Sequence, residues 1–250
     1  MNASKLQSDL LVLVINLDRS PERLARMTER LSQLPLTWER LPAIDGALIP
    51  AIRAEDVDEE KYKRQHGKPL ARAEIGCYLS HVQAMKLFLS SEKEYMLVFE
   101  DDAYLNSDFE CVLKQLMMAK SQWDVVKLSG FHNPYLIHSN HLVKEYMFGV
   151  PTTRHCNTAA VLYNRKAAQQ FIECMLPMSL PFDHALEQPW LYDVKLRVVK
   201  PSPVQAGDGA ESTIVGTKAQ KFKWYQRLST YVFRLKNEVS RVIWAISSKY

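Results

Sequence analysis

The chain has no apolar run approaching the roughly 18 to 20 residues that cross a bilayer, no C-x-x-C pair among its four cysteines, and no glycine-rich phosphate loop. Each absence removes a class. Without the long run there is no predicted membrane-spanning helix. Cys77, Cys111, Cys156 and Cys174 are too widely spaced for a structural zinc site or a disulfide framework, and they read as buried thiols. With neither G-x-G-x-x-G nor a Walker motif after the first strand, the Rossmann dinucleotide and P-loop classes fall away. The N-terminus has no charged-then-apolar leader with a small-residue cleavage site, so a cytoplasmic location is expected. Hydrophobic content of 47% and charged content of 24% suit an ordinary globular chain.

The centre of the sequence is Tyr95 to Leu105, YMLVFEDDAYL. An apolar run with no solvent face reads as a strand buried on both sides, and it ends in Glu100, Asp101 and Asp102. In open α/β sheets the ligand crevice lies outside the carboxyl ends of strands. Three adjacent carboxylates repel one another, so a hard cation such as Mg²⁺ or Mn²⁺ is the expected neutraliser, with a plain polar strand exit as the alternative. If alternation continues through the exit, Glu100 and Asp102 share a side and Asp101 points away.

Around this stretch the pattern is α/β. Leu10 to Ile15 read as a buried strand, followed by a polar loop in which Ser20 can cap a helix with Pro21 in its first turn. That helix start, with Arg19 and Arg23, can meet an anion. Trp38 to Ile44 form a short strand closed by Asp45 and Gly46, and residues 52 to 69 read as a solvated, partly helical excursion. A helix follows over Ala71 to Ser90, with Glu74, Cys77 and His81 on one face. Glu74 and His81 are seven residues apart, about 10 Å along the axis, too far to share an ion. Asp108 to Ala119 is helical, Trp123 to Leu128 a strand, Phe131 to His141 a polar loop, and Thr158 to Tyr163 a strand with Asn164 capping the next helix. Pro181-Phe182-Asp183-His184 places an acid on a stiff turn before a helix onset at Ala185. Asp183 can cap there or serve as a general base. A last strand lies within Trp190 to Lys200, and loop chemistry follows throughout.

The charge is +4 overall. Beyond Thr217 the chain carries Lys218, Lys221, Lys223, Arg227, Arg234, Lys236, Arg241 and Lys249 against Glu238 alone, interleaved with Trp224, Tyr225, Tyr231, Phe233 and Trp244. A basic aromatic amphipathic helix suits a membrane interface, a docked terminal helix or a dimer contact. The expected division is a catalytic domain over 1–216 and a basic aromatic tail over 217–250.

Taken together, VINLDRSPERLARM, LPAIDG, AEIGCYLSHVQAMK, LVFEDDAYL, AAVLYNRKAAQQFI with PFDHAL, and PSPVQ with Glu211 and Ser212 resemble glycosyltransferase family 25, the bacterial lipooligosaccharide and lipopolysaccharide sugar transferases. The resemblance implies a GT-A-like fold, a Rossmann-like mixed sheet flanked by helices. It also implies inverting transfer of galactose or glucose from a UDP-sugar, with Glu100 and Asp102 as a D-x-D-like grip on Mn²⁺ or Mg²⁺. Asn16, Leu17, Asp18 and Arg23 would lie near the nucleotide, with Asp101 beside them, and His81 near the donor or metal. Asp183 is the chosen general base. The implied acceptor is lipooligosaccharide at the cytoplasmic face of the inner membrane. A metal-dependent sugar-phosphate nucleotidyltransferase is the first alternative, although only Arg19 and Arg23 would grip its phosphates. A nucleic-acid-binding module would leave the acids unexplained.

Overall fold

The computed structural model describes residues 8–207 and 221–248. Its sheet grows from strand β1 (Leu10–Asn16), whose alternate side chains leave on opposite faces. Leu11, Leu13 and Ile15 enter one apolar layer, while Leu10, Val12 and Val14 enter the other. Strand β3 (Tyr95–Glu100) lies parallel to β1, pairing Leu10 with Tyr95 and Ile15 with Glu100, and its interior divides in the same way. Fully burying each such aliphatic side chain is worth about 1.5–3 kcal/mol, so the two runs define the centre of the fold.

The eight strands run in the order β2-β1-β3-β8-β5-β9-β7-β6. The added members are β2 (Glu39–Pro42), β5 (Val125–Lys127), β6 (Leu136–Val143), β7 (Tyr146–Pro151), β8 (Ala160–Asn164) and β9 (Leu196–Lys200). Strand β8 runs antiparallel between β3 and β5, and β7 antiparallel beside β9, so the sheet is mixed. Helices α1 (Pro21–Ser32) and α4 (Phe109–Met118) bury residues in one layer. The opposite layer holds α2 (Glu59–His66), α3 (Arg72–Ser90), α5 (Arg165–Cys174) and α6 (Phe182–Leu186). This is the expected GT-A-like α/β arrangement, a mixed sheet flanked by helices. A two-stranded antiparallel ribbon of β4 (Ala103–Leu105) and β10 (Val204–Ala206) lies just beyond the carboxylates.

Several expectations change. The stretch read as a polar loop runs into β6, which begins at Leu136 and pairs antiparallel with β7, with register shifts along the way. Its outward residues are polar enough to hide a strand that buries few side chains. The loop after Pro201 contains β10, a strand of three residues, too short to show a period. Helix α6 begins at Phe182 rather than Ala185, with Pro181 at its N-cap, so Asp183 is inside the first turn and is not the cap. Two of the four free cysteines, Cys111 and Cys174, are exposed rather than buried. Ser20 occupies the N-cap of α1 without a side-chain capping bond, whereas Asn164 caps α5 by accepting from Ala167 N at 2.9 Å.

The tail forms helix α7 (Leu228–Ser247). Thr230, Arg241 and Ala245 are buried against the domain, with Thr230 Oγ1 donating to Arg64 O and Gln188 Nε2 to Asn237 Oδ1. The proposed boundary at 216, and Glu211 and Ser212, lie outside the described residues. Among those described, no helix is long and apolar enough to cross a membrane.

Candidate active site

Because β1 and β3 are parallel neighbours, their carboxyl ends deliver two loops side by side. The first holds Leu17 to Ser20 and leads into α1; the second is the tight turn at Asp101 and Asp102. Asn16 Nδ2 bridges them, donating to Ser20 O at 2.9 Å and Asp101 Oδ2 at 2.7 Å. Arg23 Nη1, one turn into α1, donates to Asp101 Oδ1 at 2.7 Å. Asp101 is thereby turned into the protein. Burial pushes its carboxyl up, Asn16 and Arg23 oppose this, and with the Glu100 charge it rests above the ordinary range.

Glu100 faces the other way. Its Oε1 lies 3.2 Å from His81 Nε2 and accepts from Thr158 Oγ1 at 2.8 Å. Burial raises its carboxyl, but those bonds and the charges of His81 and Arg23 prevail and hold it below the usual value. Asp102 has no such support. Its Oδ1 is buried without a hydrogen-bond partner among the described residues, and Arg23 Nη2 stands 3.8 Å from its other oxygen. Burial and the neighbouring Glu100 charge push its carboxyl up to about 7. An orphaned carboxylate oxygen beside a second carboxylate fits a divalent cation, whose charge would supply the missing partner.

The chain builds two cavities against this turn. A smaller one, about 110 Å³, is lined by Leu17, Arg19, Arg23, Asp45, His81 and the three carboxylates. Its far wall depends on glycine: a Cβ on Gly46 would meet Arg72 O at 1.8 Å, and one on Gly76 would meet Ile44 O at 2.4 Å. Only bare backbone lets α3 approach the turn after β2 closely enough to bring Cys77, Ser80 and His81 to the cleft. The larger cavity, about 430 Å³, is lined by Glu100 and Asp102 on one side and by Asn157, Thr158, Phe182 and Asp183 on another. Asp101 is absent from its lining. The expected separation of Glu100 and Asp102 from Asp101 holds for this cavity, but a turn produces it, since β3 ends at Glu100.

Asp183 is fixed by backbone donors. Asn157 N donates to its Oδ2 at 3.1 Å and His184 N to its Oδ1 at 2.9 Å. Cys156 and Asn157 both take positive φ, 55° and 63°, which turns the Asn157 N–H toward the carboxylate just before β8. Behind this turn lies a buried ion network. Lys127 Nζ contacts Glu187 Oε1 and donates to Cys156 O at 2.7 Å, while His155 N donates to Glu187 Oε2 at 3.1 Å. Arg241 from α7 completes it, donating to Glu187 O at 3.1 Å.

The expected site residues therefore separate by position. Leu17, Arg23, His81, Glu100, Asp101 and Asp102 share the smaller cavity, and Glu100, Asp102 and Asp183 share the larger. Asn16 lines neither; it is buried and orients Asp101. Asp18 is 81% exposed and pairs with Arg40 away from both. Glu74 and His81 do not share a site, as their spacing requires, and the Tyr62 hydroxyl takes Glu74. Cys77 does join His81 and Glu100, their ligand atoms lying within 4.8 Å of one another. Sequence reasoning missed Thr158 and Asn157, whose only signal is their place just before a buried strand. It also missed the Lys127, Glu187 and Arg241 network, signalled by a lysine inside an apolar strand run.

A family model described as glycosyltransferase family 25 (LPS biosynthesis protein) matches residues 10–186. Among curated relatives, the human inactive glycosyltransferase 25 family member 3 is 33% identical over 128 residues, covering 47% of this chain and 21% of its own length. The Xenopus laevis procollagen galactosyltransferase 1-A is 30% identical over 125 residues, covering 47% of this chain and 20% of its own. The chain thus spans about a fifth of the length of these relatives. Of solved structures, A197 from STIV overlaps with TM-score 0.42 at 10% identity, over 78% of this chain and 82% of that one. The galactosyltransferase LgtC overlaps with TM-score 0.39 at 11% identity, over 90% and 95%. These overlaps are shallow, and it is the sequence match across most of the domain that places the chain: it belongs to glycosyltransferase family 25.

Proposed function

We propose that the protein is an inverting, metal-dependent hexosyltransferase that moves galactose or glucose from a UDP-sugar to a lipooligosaccharide or lipopolysaccharide acceptor. The observation that carries this reading is that Glu100, Asp102 and Asp183 face one cavity of about 430 Å³. An inverting displacement needs negative charge neutralised on the leaving side and a proton acceptor on the attacking side. Glu100 and Asp102 would hold the divalent ion, Mn²⁺ or Mg²⁺, which when bound neutralises charge on the donor diphosphate.

Asp183 acts at the attacking side. Its two backbone hydrogen bonds fix the carboxylate while leaving lone pairs for the acceptor hydroxyl. The acceptor oxygen forms a bond to the anomeric carbon, and the bond from that carbon to the diphosphate oxygen breaks. UDP leaves with the bonding pair and Asp183 keeps the hydroxyl proton. Arg19 and Arg23 add positive charge beside the smaller cavity, where the nucleotide would sit.

The Xenopus relative's name supports galactose, and the family description supports a lipopolysaccharide acceptor. Such an acceptor would place the protein at the cytoplasmic face of the inner membrane. The test is product analysis with UDP-galactose or UDP-glucose and truncated lipooligosaccharide, with Mn²⁺ and with EDTA. Metal-dependent UDP release with an extended acceptor supports the proposal. Release of pyrophosphate from UTP and a sugar 1-phosphate instead would identify a nucleotidyltransferase.

A further inference from the structure

Helix α7 has one face committed to the domain and another that is apolar and uncovered. Leu228, Val232, Leu235, Val239, Val242 and Ile246 follow at steps of four and three, which keeps them on one stripe, and each is between 42% and 69% exposed. The opposite face is pinned by Thr230, by Arg241 in its contact with Glu187, and by Ala245. The stripe is therefore presented rigidly outward.

Within residues 221–248 the exposed charged side chains carry one sign. Lys221, Lys223 and Lys236 are exposed, and Trp224 and Tyr225 are 71% and 52% exposed at the start of the helix. From 221 to 248 the sequence has one acid, Glu238, which is engaged by Arg154 at 2.9 Å and Arg241 at 3.5 Å. We infer that the outer face of α7 lies in the interface of an anionic lipid bilayer, with the aliphatic stripe among the acyl chains and the lysines and aromatic rings at the headgroups. This inference takes from the proposed function only its purpose, bringing the cleft to a lipid-carried acceptor.

Charge complementarity favours lipid over a second copy of the chain. The four-three spacing would also suit a two-stranded coiled coil. Two copies, however, would bring Lys221, Lys223 and Lys236 together, and the described acids that flank α7 already have partners, Glu238 with Arg154 and Arg241, Glu59 and Glu60 with Lys63, and Asp193 with Lys166, whereas anionic headgroups neutralise all three lysines.

The experiment is sedimentation of the full-length protein with vesicles of phosphatidylcholine alone or mixed with phosphatidylglycerol. The wild type is expected to bind the mixed vesicles, more weakly at higher salt, and hardly at all to phosphatidylcholine. Leu235→Glu with Ile243→Glu, at exposed positions, should weaken binding at least about tenfold without moving the melting temperature. Lys221→Ala and Lys223→Ala should each weaken it about fivefold. Failure of the wild type to bind, or binding insensitive to these substitutions, would overturn the inference. So would a dimer in light scattering that the Leu235→Glu, Ile243→Glu variant converts to monomer. Mn²⁺-dependent UDP binding, measured on the same samples, separates the two readings: vesicle binding without UDP binding would overturn the transferase proposal and leave this inference standing.

Discussion

Arg23 Nη1 donates to Asp101 Oδ1 at 2.7 Å, with the two side chains only 8% and 9% exposed. This pair holds the start of α1 against the turn after β3, and it makes Asp101 part of the frame around the two outer acids. Removing the cation leaves Asp101, Asp102 and Glu100 crowded together. Arg23→Met is expected to lower stability by about 3–5 kcal/mol in denaturant unfolding. Combined with Asp101→Asn, the loss should shrink by more than about 1 kcal/mol in a double-mutant cycle. Strict additivity would show that the pair is not coupled.

His81 joins the two walls of the site. Its Nε2 lies 3.2 Å from Glu100, and its ring stacks on Phe182 at 4.1 Å and 9°, next to Asp183. His81→Asn loses the stack and the reach to Glu100, so both carboxylates lose a constraint. Turnover is expected to fall by about a hundredfold in steady-state UDP release, with a smaller effect on KM. Unchanged turnover would reduce His81 to packing.

For Asp183, replacement by Asn keeps the size and removes the proton acceptor. Transfer is expected to fall about 10²- to 10⁴-fold, while UDP affinity stays within about twofold. One backbone donor loses its partner, a cost of about 1 kcal/mol, so the variant should fold. Near-wild-type turnover would remove Asp183 from the mechanism.

Acid should destabilise the fold through buried histidines. Burial and the charges of His184, Lys68, Arg234 and Arg227 push His66 down to about 3, and burial and Lys127 do the same to His155. Between that value and the ordinary 6.5 the unfolded chain binds more protons than the folded one. Stability is therefore fully present above about 6.5 and declines as pH falls toward 3. Glu187, held down to about 2 against the pull of burial by Lys127 and Arg241, adds a further loss as pH falls from its ordinary 4.5 toward 2. His66→Phe should flatten the fall in Tm between about pH 6.5 and 4; an unchanged slope would show that His66 takes up its proton in the folded state.

The sequence carried much of this arrangement and concealed the rest for identifiable reasons. Leu10 to Ile15 and Tyr95 to Phe99 have no polar side, so central strands were legible, and the acids at the end of the second were legible as a candidate site. Strands β6 and β10 were not: the outward face of β6 is polar, and three residues of β10 carry no period. The position of Asp183 was legible from its prolines, but its bond from Asn157 N was not, since that depends on left-handed residues at Cys156 and Asn157. Side-chain direction also separated neighbours of equal promise. Asp18 and Arg23 lie in one motif, yet Asp18 pairs outward with Arg40 while Arg23 turns inward. Among the tail's alternatives, α7 docks by one face and leaves the other open.

Glu100 and Asp102 are proposed to grip a divalent ion on which donor binding depends. Calorimetric titration of UDP into the wild type and Asp102→Ala, with Mn²⁺ and with EDTA, tests it most directly. Asp102→Ala removes a carboxyl already pushed up to about 7, so it should fold at least as stably as the wild type. Wild-type binding is expected to require Mn²⁺ and to fall at least about a hundredfold in Asp102→Ala, a loss of roughly 2.7 kcal/mol. Equal UDP affinity in both proteins, with and without EDTA, would contradict it.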